Sequence, residues 1–392
     1  MNVNIDYLRR IKRIQGVMAK NNIDLLVGTR LATLSYTLGT YVPWRCGVVI
    51  PKKGEPIGVL WEKDIARITY YSWINQYYEW KGEVTDKTRK SPFIKKVVEI
   101  IKKLNLENGN IGLEFQAIGG RIAHGVICAF EFEEIKELLP RANFVEACPI
   151  VDEVMLIKEK EEIQLLRQVA AIADAGFLAA FKILKPGITE NMLVGEAERA
   201  MRRLGSEWSP GPGNADIGSG YRTAFNERGF TQPPTNKIIQ RGENVLIDLG
   251  PVYRLYMGDA CYNAIVGKPS KEQESLKNAY EHISKYLIQN MKAGIKISDF
   301  VKLAYKEVVA TGYDKYSVPY FGHGAGTDVR IPPIIDLNNE TCFKENMVVT
   351  AGLHFYAPHI GGMRLEAPVL ITKNGGEILT KYNLEVHEAP IF

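Results

Sequence analysis

The chain lacks any Cys-x-x-Cys pair: its five cysteines, Cys46, Cys128, Cys148, Cys261 and Cys342, are odd in number and far apart. That spacing speaks against a disulfide framework and a thiolate zinc site, and it fits a reducing compartment. No apolar run reaches the roughly 18 residues that a membrane span needs, and the start MNVNIDYLRRIKRIQ is polar and amphipathic with no apolar signal core. A cytoplasmic location with no membrane partner is expected. Long blocks of one charge sign are missing too, since 49 basic residues are interspersed with 45 acidic ones for a net charge of +4. A nucleic-acid partner gains no support from this pattern.

What is present is the balance of an ordinary globular protein, 46% hydrophobic and 24% charged over 392 residues, a length that favours two domains. The apolar steps Ile5, Leu8, Ile11, Ile14 and Val17 predict a helix over 4–21, followed by a strand at 23–27. Gly47–Ile50, the turn Lys52-Lys53-Gly54 and Ile57–Trp61 read as a hairpin, after which a helix at Phe93–Leu104 and a strand at Ile111–Glu114 alternate. Residues 1–152 therefore form a small α/β domain. From Val151 a charge-rich stretch opens one long helix with Ile163, Leu166, Val169, Ile172, Ala173 and Phe177 on a stripe, stopped by Lys185-Pro186-Gly187. Residues 153–392 are the second domain.

That second domain repeats itself. Lys185 leads through a helix to Gly205, and Lys292 leads through another to Gly312. The segment Glu243-Asn244-Val245-Leu246-Ile247-Asp248-Leu249-Gly250 returns as Glu345-Asn346-Met347-Val348-Val349-Thr350-Ala351-Gly352, offset by about a hundred residues. Two such copies predict a pseudo-twofold domain, with helices outside and strands meeting in the middle.

Asp248 stands inside an apolar strand, where an ionised carboxylate is costly to bury alone. After the turn-like Gly250-Pro251, Asp259 opens a second apolar strand, and a hairpin between them would set the two carboxylates side by side. They then need a shared cation or proton, and a hard divalent metal is the commoner solution. His323, within Phe321-Gly322-His323-Gly324-Ala325-Gly326, and Glu366, within Gly361-Gly362-Met363-Arg364-Leu365-Glu366, are further candidates. The plainer alternatives are a strand-end Asp, a packed His and a surface Arg364–Glu366 pair.

These motifs, in this order, resemble the M24 or pita-bread family of methionine aminopeptidase, aminopeptidase P, prolidase and creatinase, over nearly the whole chain. The resemblance implies an α/β (α+β) protein: a creatinase/prolidase-type N-terminal domain followed by a pita-bread domain. It places Asp248, Asp259, His323 and Glu366 at four of five metal-ligand positions. The fifth, a glutamate in the family, is Gly352 here, with His354 two residues on as a substitute if the strand bulges. By the family layout one position keeps Asp248, Asp259 and Glu366, and the other keeps His323 with bridging oxygens. One divalent ion (Mn, Co, Zn or Fe) or none is expected rather than two.

Two histidines that the family's peptidases carry near the scissile bond are replaced by Thr231 and Arg330. The leading expectation is therefore a creatinase-like or ectoine-hydrolase-like enzyme cleaving a C–N bond in a small carboxylate-bearing substrate. His323 and Glu366 are its acid/base candidates; Trp44, Arg45, Thr231, Arg330 and Arg364 are its substrate contacts, Arg45 acting from the partner subunit of a homodimer. The second expectation is an Xaa-Pro metallopeptidase. A non-catalytic peptide-binding member and elimination chemistry are the others.

Overall fold

The structure, a computed structural model, describes residues 3–82, 90–116, 125–207, 215–227 and 232–382, together with 384–391. The backbone divides into two compact units between Met155 and Leu156.

The first unit runs α1 (Tyr7–Lys20), β1 (Leu25–Gly28), α2 (Leu31–Leu38), β2 (Gly47–Pro51), β3 (Ile57–Trp61), α3 (Ile65–Tyr71), β4 (Tyr77–Trp80), α4 (Pro92–Lys103), β5 (Asn110–Leu113), α5 (Ala129–Leu138), β6 (Asn143–Glu146) and α6 (Cys148–Leu156). Its six strands form one mixed sheet in the order β4-β3-β2-β1-β5-β6. The hairpin of β2 and β3 is antiparallel, with Gly47 opposite Val59. Helix α1 starts where Asp6 accepts from the Arg9 amide at 2.9 Å, and it buries Ile11, Ile14 and Val17. Leu8, expected on that stripe, is 49% exposed. The buried place goes to Arg10, whose guanidinium lies 4.2 Å from the Tyr36 ring centroid and donates to the Tyr36 carbonyl, so its charge is satisfied inside the unit.

The second unit runs α7 (Lys160–Ile183), α8 (Glu190–Arg203), β7 (Ala215–Ser219), β8 (Asn244–Leu249), β9 (Val252–Tyr253), β10 (Tyr256–Met257), β11 (Ala260–Val266), α9 (Lys271–Asn290), α10 (Ile297–Ala310), β12 (Tyr320–Gly324), β13 (Ile331–Asp336), β14 (Val348–Ala357), β15 (Gly361–Ile371), β16 (Gly376–Ile378) and β17 (His387–Ala389). The single long helix expected from Val151 is in fact α6 and α7. The break falls at Ile157–Glu159, where the Glu159 amide is capped by the Glu162 carboxylate. Helix α7 is long and apolar enough to cross a membrane by length and composition, yet 56% of its apolar window is buried, and Ile172 and Phe177 are wholly inside the core. It is a core helix.

The large sheet runs β13-β12-β14-β15-β11-β8-β7, with β16 beside β15 and β17 beside β11. Helices α7 and α8 pack on the half holding β7, β8 and β11; α9 and α10 pack on the half holding β12 to β15. Sheet order is therefore symmetric about the β11/β15 seam, and the two segments that echo each other in sequence become β8 and β14, one step out on either side. The seam itself is narrow. Among the described residues its ladder pairs one position, Cys261 with Glu366. Two residues further on, the Asn263 amide donates to the Arg364 carbonyl at 2.9 Å and accepts from the Arg364 N–H at 2.8 Å, doing what a paired backbone would do.

Candidate functional site

The register of the large sheet lines up a row of side chains across five strands. Asp216 is opposite Asp248, Asp248 opposite Cys261, Cys261 opposite Glu366, and Glu366 opposite Gly352. Directly opposed residues share a face, so this row presents three carboxyls and a thiol, then stops at a residue with no side chain. The alternation of each strand adds Asp259, two before Cys261, and Arg364, two before Glu366. His323 enters from β12, opposite Thr350. The expectation that Asp248 and Asp259 oppose each other is thus off by one strand step: the residue facing Asp248 is Cys261, and Asp259 lies just before β11 on the same side.

Glycine makes the approach of His323 feasible. Gly322 has φ +120, and a Cβ there would sit 1.8 Å from the Thr350 carbonyl; at Gly324 it would sit 2.1 Å from the Pro332 carbonyl. The His323 ring has Nδ1 3.1 Å from the Gly324 carbonyl, which can only accept, so Nδ1 carries the proton. Nε2 then faces the Asp259 carboxylate at 3.3 Å. Two acceptors meeting in a buried place require a proton or a metal ion between them.

Electrostatics across the row make the same demand. Arg364 is buried and donates to Asp248 Oδ2 at 2.8 Å and to Glu366 Oε1. One guanidinium faces four carboxyls. Burial, and then the charges of Asp259 and Asp248, push the Glu366 carboxyl well above the ordinary range against the opposing pull of Arg364. Burial and the Asp248 charge push Asp216 up to about 6. Glu366 Oε2 is buried with no hydrogen-bond partner among the described residues. Two donor groups emerge, each with ligand atoms within 4.8 Å of one another: Asp248, Cys261 and Glu366, and Asp259, His323 and Glu366. Glu366 belongs to both. Oxygen, nitrogen and sulfur donors with excess negative charge fit a divalent cation.

Of the expected residues, Asp248, Asp259, His323 and Glu366 come together. His354 joins neither donor group among the described residues; its ring is stacked with Tyr320 at 6.1 Å and with Tyr356 at 5.7 Å. Arg364 is engaged with Asp248 and Glu366 and braces these two carboxylates. Arg330 lies over the Tyr320 ring at 5.2 Å, with Nε buried and unpartnered among the described residues. Arg45 is held inside the first unit: it pairs with Glu131 through Nε and Nη2, donates to the Gly125 carbonyl and covers the Phe93 ring at 4.6 Å. A guanidinium used in this way has little left for a substrate carboxylate. Trp44 is 57% exposed and meets Trp61 edge-on at 5.4 Å. Thr231 lies outside the described residues. Sequence reasoning missed Asp216 and Cys261. The signal for Cys261 was its two-residue spacing from Asp259 on a strand; Asp216, in the short polar run ADIGS, gave none.

A buried carboxylate centre on one large sheet, in a chain with a separate α/β unit earlier in the sequence, is the arrangement to compare with known proteins. Residues 164–373 match the profile of metallopeptidase family M24, and residues 10–156 match the creatinase/prolidase N-terminal domain. The Xaa-Pro dipeptidase of Pyrococcus horikoshii is 30% identical over 301 residues, covering 74% of this chain and 84% of the relative. That of Pyrococcus furiosus is 30% identical over 313 residues, covering 79% and 84%. The solved prolidase structure from Pyrococcus horikoshii aligns with a TM-score of 0.80 at 26% identity over 96% of this chain and 99% of that one. The chain belongs to metallopeptidase family M24 and is a hydrolase of that family, with a pita-bread domain behind a creatinase/prolidase-type domain.

Proposed function

We propose that the chain is a metal-assisted dipeptidase of the Xaa-Pro type, acting on small substrates with a free carboxylate. The observation that carries this reading is the pair of donor groups sharing Glu366, bordered by buried polar atoms with no protein partner among the described residues: Tyr320 Oη, Tyr356 Oη, Thr350 Oγ1 and Arg330 Nε. Buried polar atoms left over in this way are suited to a polar ligand. The names of both relatives favour this second expectation over the creatinase-like one.

Asp248, Asp259, His323 and Glu366 would hold the cation, and when bound it would supply Lewis-acid polarisation of the scissile carbonyl. Arg330 is the group for the substrate carboxylate, since a guanidinium suits that partner. The Tyr320 and Tyr356 hydroxyls, their protons held more tightly by burial, are donors toward substrate oxygens. Where no cation is bound, Glu366 and His323 are the groups that would move a proton, at Oε2 and Nε2. Burial and the neighbouring carboxylates raise the proton affinity of Glu366 in that cation-free state. Gly352 keeps the creatinase-like reading as the second one, because the His323 side of the site has lost an oxygen donor.

The test is hydrolysis of Leu-Pro and Met-Pro, of their C-terminal amides, and of small N-acyl and amidino acids, before and after chelation and divalent-ion repletion. Cleavage of the free dipeptides, abolished by chelator and restored by metal, is expected. Arg330→Gln should raise KM for the free dipeptide by about tenfold or more and leave the amide unaffected. Turnover of N-acyl or amidino acids alone would move the assignment to the second reading. The reading also carries a cytoplasmic homodimer; light scattering on the purified chain checks the dimer.

A further inference from the structure

Cys261 occupies the middle of the row. It is the register partner of both Asp248 and Glu366, it is 0% exposed, and it belongs with those two carboxylates to one donor group. A buried thiol is ordinarily a small apolar filler, and such fillers sit among apolar neighbours. This one sits among carboxyls. The Glu366 oxygen Oε2, in a residue 6% exposed, adds a buried acceptor with no protein partner among the described residues. A thiol, a carboxylate and an orphaned carboxyl oxygen converging from three adjacent strands are a ligand set in want of an ion.

We propose that Cys261 is a metal ligand, forming with Asp248 and Glu366 a mixed sulfur–oxygen site selective for zinc, cobalt(II) or iron(II) over manganese and magnesium. The inference rests on the metal-assisted reading of the same centre and sharpens it. The lone thiol departs from what the cysteine spacing suggested, because the other ligands come from neighbouring strands instead of a second cysteine. On binding, the S–H bond breaks, an S–metal bond forms and the proton leaves to solvent, so uptake through this ligand releases one proton. Sulfur softens the donor set and shifts selectivity toward the borderline metals. Gly352 accounts for the asymmetry. The His323 side offers no carboxylate from β14, whereas the Asp248 side has gained a sulfur, so the softer position is the one containing Cys261.

The experiment is titration of the chelator-treated full-length chain with cobalt(II), followed by absorption spectroscopy, for wild type, Cys261→Ser, Cys261→Val and the exposed-cysteine control Cys342→Ser. Wild type and Cys342→Ser should show a near-ultraviolet sulfur-to-cobalt charge-transfer band. In a folded Cys261 variant that band should vanish while the visible ligand-field bands persist. Zinc-over-manganese preference should fall by at least about tenfold, the lower end of what even an outer partner of a metal site contributes. Ligand-field bands without the charge-transfer band in wild type would overturn the proposal and leave the metal site standing. A charge-transfer band retained in either Cys261 variant would overturn it as well. Absence of any cobalt uptake by wild type would overturn both the ligand assignment and the metal-assisted reading, while the dipeptide panel judges the substrate class independently.

Discussion

Replacing Gly352 by glutamate restores an oxygen donor where the row of ligands stops, and the structure sets the size of the effect. Gly352 has no positive φ, and a Cβ built there meets its nearest neighbour, the Gly322 nitrogen, at 3.4 Å, an ordinary contact. Backbone strain is therefore absent, and a side chain in mid-strand gains about 0.5–1 kcal/mol over glycine. The new carboxylate faces Glu366 across an antiparallel pair. At roughly 5 Å and an effective dielectric of about 20, two such charges repel by about 3 kcal/mol when both are ionised, an upper limit because Glu366 holds its proton more tightly than an ordinary carboxyl. Without a cation the variant should be less stable than wild type by up to about 2 kcal/mol, or as much as roughly 4–8 °C in Tm for a domain of this size, at a pH where both carboxyls are ionised. Lower pH should relieve the penalty, because either carboxyl can take up a proton. A divalent ion at about a hundred times its Kd should add about 2.7 kcal/mol and reverse the order. Differential scanning calorimetry of Gly352→Glu, Gly352→Ala and wild type, each with chelator and with manganese, measures all of this. If Gly352→Glu matches Gly352→Ala in chelator, or if manganese shifts all three chains equally, the carboxylate at this position does not face the centre and the reasoning fails.

Arg364→Ala should cost about 3–5 kcal/mol in urea denaturation, because it strips two buried carboxylates of their paired cation. Gly322→Ala should abolish the site and much of the fold, since its Cβ would lie 1.8 Å from the Thr350 carbonyl at φ +120; loss of soluble, cooperatively melting protein is the readout. His387 is stacked 4.8 Å from the Phe181 ring, and burial pulls its pKa below the ordinary value of 6.5. The folded chain keeps this ring neutral while the unfolded chain protonates it, so its contribution is present above about pH 6.5 and is lost as pH falls below that. His387→Phe should flatten this acid-side decline, by no more than about 1 kcal/mol because the ring is only half buried, as read from Tm between pH 5 and 7.5.

Much of the fold was legible because the second unit repeats itself, and the echo of Glu243–Gly250 in Glu345–Gly352 maps onto β8 and β14 about a common seam. The ligand carboxylates were legible for a related reason: Asp248 interrupts an apolar strand, and an interruption of that kind stands out in sequence. Strand register was not legible. Which residue faces Asp248 depends on the turn formed by β9 and β10, where Arg254 and Leu255 take positive φ, so Cys261 arrived where Asp259 had been expected. Long-range partners were equally hidden. Nothing near Arg45 or Arg364 in the sequence tells that one is held by Glu131 and the other by Asp248, each roughly a hundred residues away.

The single paired position at the β11/β15 seam has a mechanical consequence. The two halves of the sheet are joined there like a fastener with one closed tooth, with the Asn263 amide as a catch beside it, whereas the hairpin of β14 and β15 is paired along ten positions. Asp248 and Cys261 stand on one side of that join, and Glu366 and His323 on the other. An ion held by donors from both sides would be a rivet across that line. Amide exchange at Cys261 and Glu366 should slow on loading far more than exchange within either half.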